Sequence, residues 1–166
     1  MKALFIGRFQ PFHQGHLLVL QQLAKQYDEI IIGIGSSQYQ NTLDNPFSEA
    51  ERKKMIANSL TAIHMKNYRI ASIPDIHNPP KWVDHVRSII SDFDVVIANN
   101  PFTRKLFSEK GFEVKGTTSF NRKQYSGKEI RRRIVHDEPW EDLVPQAVLD
   151  IIKNTNGIIR LKQVSS

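Results

Sequence analysis

Apolar residues along the chain fall into short runs that alternate with stretches of helical spacing. Ala3 to Ile6 is apolar and ends at Gly7, after which Leu17, Leu20, Leu23, Ala24 and Tyr27 recur at the spacing of a helix over 16–27. Ile30 to Ile34 is an isoleucine-rich run closed by Gly35, the pattern of a strand covered on both faces. Ser48 with Glu51 makes a capping box, opening a helix that runs to about Leu60. Further strands are predicted over 69–73, 94–98 and 112–114. Further helices are predicted over 82–90 and 103–110, the latter stopped by Gly111. Ser126 with Glu129 reads as a second capping box, heading a helix to about Val135. Pro145 at a first helical position opens a helix that ends at Asn156–Gly157, and Ile158 to Leu161 reads as a final edge strand.

Strands alternating with helices at this spacing predict one doubly wound, Rossmann-like α/β domain over 1–166, a parallel sheet with helices on both faces. Such sheets bind ligands beyond the carboxyl ends of the strands, where the strand order switches. The residues following Ile6, Gly35, Ile73 and Ala98 are therefore where chemistry is sought.

Composition narrows the classes. A length of 166 residues suits one domain. The absence of cysteine excludes a disulfide framework, a thiolate zinc site and a cysteine nucleophile, and fits a reducing compartment. The longest apolar stretches fall far short of the ~20 residues that cross a bilayer, and no signal-like segment opens the chain. A cytoplasmic protein with no membrane partner is expected. The net charge of +6 is concentrated between Arg122 and Arg133, where six basic residues face one acid. That segment suits a solvated face, a nucleic-acid patch or a phosphate clamp.

The neighbouring motifs favour the clamp. In Gly7-Arg8-Phe9-Gln10-Pro11-Phe12-His13-Gln14-Gly15-His16, two histidines flank a glycine where a loop enters a helix. Helix N-termini attract anions through free N–H groups and a partial positive charge. Gly7 and Gly15 would let a phosphate approach the backbone, and the imidazoles of His13 and His16 could donate to it. There is no GxxxxGK[ST] run, the Gly33-Ile34-Gly35 segment lacks the third glycine of a dinucleotide fingerprint, and HExxH is missing. His64, His77, His85 and His136 are read as structural.

The string GRFQPFHQGH resembles the nucleotidyltransferase motif of the archaeal-type nicotinamide mononucleotide (NMN) adenylyltransferases, within the wider HxGH superfamily. Arg8 and Gln10, where small superfamily members more often carry Thr and Asp, favour this group. The segment Ser126-Gly127-Lys128-Glu129-Ile130-Arg131-Arg132-Arg133 resembles the family's SGTEIRRR, with Lys128 in place of Thr and Arg131 at the position of the closing Arg. Asn45 to Arg52 resembles its NPFTAGER stretch, a wall of the site in which Arg52 is expected to be a structural ion-pair partner. Asp75 and Trp82 match the pair that surrounds the nicotinamide ring, although Pro79 stands where the family has Asn. Asn100 matches the Asn of a GNP turn, and Phe120 a position near the nucleotide.

The resemblance implies transfer of the adenylyl group of ATP to the 5′-phosphate of NMN, giving NAD and pyrophosphate. His13, His16, Arg8 and Arg131 would be catalytic. The ATP site would comprise these with Gly7, Phe9, Gly15, Ser126 and Gly127, and the NMN site Gly35, Ser36, Asp75, Trp82, Asn100 and Phe120. Mg²⁺ would be held mainly by substrate phosphates, with no metal ligands from the protein. A homo-oligomer is implied, and no nucleic-acid partner. The alternatives are transfer to another phosphate monoester such as phosphopantetheine or FMN, and a non-catalytic nucleotide or nucleic-acid binding module.

Overall fold

The computed structural model describes residues 1–118 and 123–166. Five strands, β1 (Lys2–Gly7), β2 (Glu29–Gly35), β3 (Tyr68–Ile73), β4 (Val95–Ile97) and β5 (Glu113–Lys115), form one sheet in the order β3-β2-β1-β4-β5. Every neighbouring pair is parallel. The intervening helices are α1 (Gln14–Gln26), α2 (Glu49–Ala62), α3 (Pro79–Ile89) and α4 (Pro101–Glu109), followed by α5 (Gly127–Val135), α6 (Gln146–Asn154) and α7 (Gly157–Ser165).

Because side chains alternate across a strand, the sheet buries two separate cores. Ile30, Ile32 and Ile34 join Leu20 of α1, Ile56 of α2, Ile130 of α5 and Val148 of α6 on one face. Leu4, Ile31 and Val96 join Val83 and Val86 of α3 and Phe107 of α4 on the other. The chain builds outward from β1 to β3, then crosses back to place β4 on the opposite side of β1. The strand order therefore switches between β1 and β4, and the loops leaving their carboxyl ends part to form a crevice.

Three local expectations need correction. Residues 158–161 are not an edge strand but the first turns of α7. Leu161 is buried, with Ile158 and Val164 packed against the same core, a three-residue spacing that the four-residue segment Ile-Ile-Arg-Leu is too short to reveal. The box at Ser126 is one-sided. Its Oγ accepts from the Glu129 N–H at 3.1 Å, but the Glu129 carboxylate turns to Arg132 and Arg133. Helix α3 starts at Pro79 rather than near Trp82, because a first turn has no use for the N–H groups that Pro79 and Pro80 lack. The box at Ser48–Glu51 forms as expected. Glu51 also receives both guanidinium nitrogens of Arg160, at 2.7 and 3.0 Å, tying α7 to α2.

Candidate active site

The loop leaving β1 places His13 as the N-cap of α1 and His16 in its first turn. Nδ1 of His13 accepts the His16 N–H at 3.3 Å, and Nδ1 of His16 accepts the His13 N–H at 3.2 Å. The two rings stack with centroids 3.6 Å apart and planes 18° from parallel. An accepting Nδ1 requires a lone pair there, so this hydrogen-bond pattern assigns both rings as the neutral Nε2–H tautomer. Burial, which penalises the charged ring, pushes His13 down to about 3. Burial and the adjoining His13 hold His16 well below the ordinary imidazole range. Each ring thus keeps one N–H, at Nε2, to donate at neutral pH.

These shifts also have a stability consequence. An unfolded chain binds protons at its histidines near 6.5, whereas folded His13 binds one only near 3. The contribution is therefore complete above about pH 6.5 and is lost as pH falls toward 3, at about 1.4 kcal/mol per pH unit for this group. His13→Asn, which keeps an N-capping oxygen, is expected to flatten the fall of melting temperature between pH 6 and 4. A slope as steep as that of the wild type would contradict the assignment.

Gly15 is required by packing. A Cβ there would fall 2.9 Å from both Cε1 of His13 and Cβ of Tyr125. Gly15→Ala is expected to displace the histidine pair and cost about 10²-fold in kcat/KM, the penalty for roughly ångström-scale misplacement, while circular dichroism stays native. Phe9, expected in the ATP site, turns its ring inward. It is 1% exposed, its φ of 54° lies in the left-handed region, and its ring packs edge-on to His16 under Gly7, so its side chain belongs to the core.

The arginines separate cleanly. Arg131 is buried, and its Nη1 donates to the Gln10 carbonyl at 2.8 Å. A Cβ at Gly127 would lie 2.8 Å from that nitrogen, so the glycine makes room for the guanidinium. Burial and the nearby charge of Arg8 both disfavour the protonated state of Arg131, the signature of a site short of negative charge. Arg8 is exposed, with the Asp44 carbonyl and Asn45 Oδ1 each 3.5 Å from its Nη1. Arg132 pairs with Glu129 and Glu138, and Arg133 with Glu129.

Arg52 departs from its expected role as an ion-pair partner. It is fully buried and donates to backbone carbonyls: Arg8 and Gly35 at 3.1 and 3.0 Å, and Ser36, Ser37, Tyr39 and Ser48 at 3.4, 3.3, 3.2 and 3.2 Å. Burial lowers its pKa to about 10, which still leaves it charged at neutral pH. One side chain thereby fixes the loops leaving both β1 and β2. Gln10 adds a reciprocal pair with the Phe47 backbone, both bonds at 2.9 Å.

Two cavities meet over the switch point. The larger, about 420 Å³, is lined by Gly7, Arg8, Gly35, Ser36, Asp75 and Trp82, together with His77, Asn78 and Phe102, which the sequence reading had not placed there. The smaller, about 220 Å³, is lined by His13, Gly15 and His16, with Asn99, Thr118 and Tyr125 as additions. Ile6 and Gly7 belong to both. Asp75 is held to the loop after β2 by two hydrogen bonds with Gln38, and its Oδ1 accepts the His77 N–H at 2.9 Å. His77, read as structural, is a wall of the larger cavity, with its ring hydrogen-bonded to Tyr39. Asn100 is spent on capping α4, accepting from Phe102 and Thr103 N–H groups, and its neighbour Asn99 faces the smaller cavity instead. Ser126 caps α5 through its Oγ. Phe120 lies outside the described residues.

A family model described as cytidylyltransferase-like matches residues 4–133. The nicotinamide-nucleotide adenylyltransferase of Thermoplasma volcanium is 43% identical, over 99% of this chain and 93% of that protein. The chain belongs to the cytidylyltransferase-like family, in its nicotinamide-nucleotide adenylyltransferase branch. A second relative in that branch, from Archaeoglobus fulgidus, is 44% identical over 99% of this chain and 98% of its own. Among solved structures, a bifunctional NMN adenylyltransferase/ADP ribose pyrophosphatase of Francisella tularensis, complexed with AMP and a manganese ion, matches with a TM-score of 0.73. Its identity is 22% over 98% of this chain, which spans 55% of that protein's length, so this likeness bears on the fold alone.

Proposed function

We propose that the chain transfers the adenylyl group of ATP to the 5′-phosphate of NMN, releasing NAD and pyrophosphate. The observation that carries this reading is the pair of cavities joined at Ile6 and Gly7, one walled by neutral imidazole donors and the other by Trp82 and Asp75. The names of the relatives support the same reaction.

The chemistry follows from what the groups can do. A phosphate monoester has a second pKa of about 6, so the NMN phosphate is a dianion near neutral pH and needs no base. The imidazoles offer none, since each Nδ1 is already occupied. An oxygen of the NMN phosphate attacks the α-phosphorus of ATP, and the bond to the β-phosphate oxygen breaks with its electron pair leaving on pyrophosphate. His13 and His16 donate Nε2–H to oxygens of the reacting phosphate, where charge builds in the transition state. Arg8 and Arg131 hold the β- and γ-phosphates in line. Ser126 and Gly127 bring the N-terminus of α5 to the same phosphates. Gly35 and Ser36 border the mononucleotide, with the indole of Trp82 stacking on the cationic pyridine ring.

Among the described residues there is no group of three His, Cys, Asp or Glu that could hold a metal. The donors facing the cleft suit anions, so Mg²⁺ fits here as a companion of the triphosphate, neutralising its charge and keeping most of its ligands from phosphate and water. Among the described residues no helix is long and apolar enough to cross a membrane. We place the reaction in the cytoplasm, carried out by a homo-oligomer, which light scattering tests.

Trp82→Ala tests the acceptor side. Loss of a stacking contact worth about 0.5–1.5 kcal/mol is expected to raise KM for NMN about two- to tenfold while KM for ATP holds. Coupled detection of NAD gives both constants, and an unchanged KM for NMN would remove Trp82 from the site.

A further inference from the structure

Asp75 and Trp82 border one cavity but stand on different elements, the loop after β3 and the first turn of α3. The loop, residues 74–78, also puts His77 and Asn78 in the cavity wall. Gln38 and Tyr39 hold it on the β2 side. On the α3 side, among the described residues, the one side-chain hydrogen bond comes from His85, a histidine read from sequence as structural. Its Nε2 lies 2.8 Å from the Pro74 carbonyl. A carbonyl oxygen only accepts, so this bond assigns a hydrogen to Nε2.

His85 also follows Trp82 by three residues, which puts both on one face of α3. Their ring centroids are 5.7 Å apart, with planes at 41°. The indole packs against the second core, in which Val83 and Val86 are buried, so α3 itself is fixed to the sheet. The half-buried His85 therefore touches the indole and the backbone next to Asp75 at once. A ring stacked on Trp82 sits about 3.5–4.0 Å above it. A wall that meets the edge of that ring must keep its place to within about 0.5 Å.

We propose that His85 is a positioning residue for the acceptor. Its bond to the Pro74 carbonyl fixes the loop bearing Asp75 against the helix bearing Trp82, and so sets the slot that the pyridine ring enters. This rests on the adenylyltransferase reading, with Trp82 as the stacking partner.

Steady-state kinetics with substitutions that separate donor from ring provides the test. His85→Phe keeps a ring beside Trp82 and loses the donor. It is expected to raise KM for NMN about fivefold, as loss of one neutral hydrogen bond would, with kcat and KM for ATP within about twofold. His85→Gln places an amide N–H near the position of Nε2, and is expected to return KM for NMN to within about twofold of the wild type. His85→Ala suits the helix and removes both groups, so it should match or exceed the effect of His85→Phe and serves if that variant folds poorly. Adding either donor-less substitution to Trp82→Ala should raise KM for NMN less than about twofold further, because without the indole there is no slot to hold. Four results would each overturn the proposal: an unchanged KM for NMN without the donor, an equal rise for ATP, no recovery in His85→Gln, or the full fivefold effect in the Trp82→Ala background. Any of these in a protein that makes NAD ends the role of His85 alone. A wild type that neither turns over nor binds NMN by calorimetry ends the adenylyltransferase reading, and this proposal with it.

Discussion

His16→Ala is expected to lower the rate of adenylyl transfer by about 10²–10³, the usual effect of removing one preorganised donor to a developing charge. The ring does two jobs that alanine abolishes together. Its Nδ1 accepts the N–H of His13, and its Nε2–H is the donor left for the reacting phosphate. His16→Asn separates them, because an amide oxygen can take over the cap while the Nε2–H is lost. The expected result is a melting temperature near that of the wild type in His16→Asn, with the rate nearly as low as in His16→Ala. A rate restored by Asn would mean that His16 acts only by holding the loop.

The largest expected effect on stability is at Arg52. Methionine fills similar volume but supplies no donor, leaving the carbonyls of Arg8, Gly35, Ser36, Ser37 and Tyr39 without this partner. An unsatisfied buried acceptor costs about 1–3 kcal/mol, and loops near the surface will recover part of that from water. We expect Arg52→Met to lose about 3–5 kcal/mol, the range for breaking a buried charged network. At about 2–4 °C per kcal/mol for a chain of this size, the melting temperature falls by roughly 10 °C. Because the same carbonyls belong to the loops that carry Arg8, Gly35 and Ser36, KM for both substrates should rise in the variant, measured well below its melting temperature. Arg52→Lys keeps the charge but cannot span both loops, so it should recover stability only in part. Wild-type stability in Arg52→Met would refute this role.

The parallel α/β fold was legible because its signals are local. An isoleucine-rich β2, the spaced leucines of α1 and the box at Ser48 each state their own element. The His13–His16 pair was legible because two imidazoles around a glycine at a helix start have few other uses. What escaped depended on pairings distant in sequence. Arg52 looks like a charged residue on an exposed helix until the carbonyls it collects are seen converging from two strands. Asn99 and Asn100 are adjacent and chemically identical, and only the cap of α4 decides which one faces the cleft. Ile158 to Leu161 is too short to distinguish a strand from a helical turn, and the contact of Arg160 with Glu51 belongs to another part of the chain. His77 lines the larger cavity because the loop after β3 folds back under Tyr39, which no local pattern announces.

The most direct test of the reaction is pyrophosphate release from ATP and Mg²⁺ with NMN, phosphopantetheine and FMN offered separately. Release with NMN alone, falling about 10²–10³-fold in His16→Ala, is the predicted result. Release with another acceptor in preference to NMN would contradict the assignment of the larger cavity. No release with any of the three would contradict the enzyme itself.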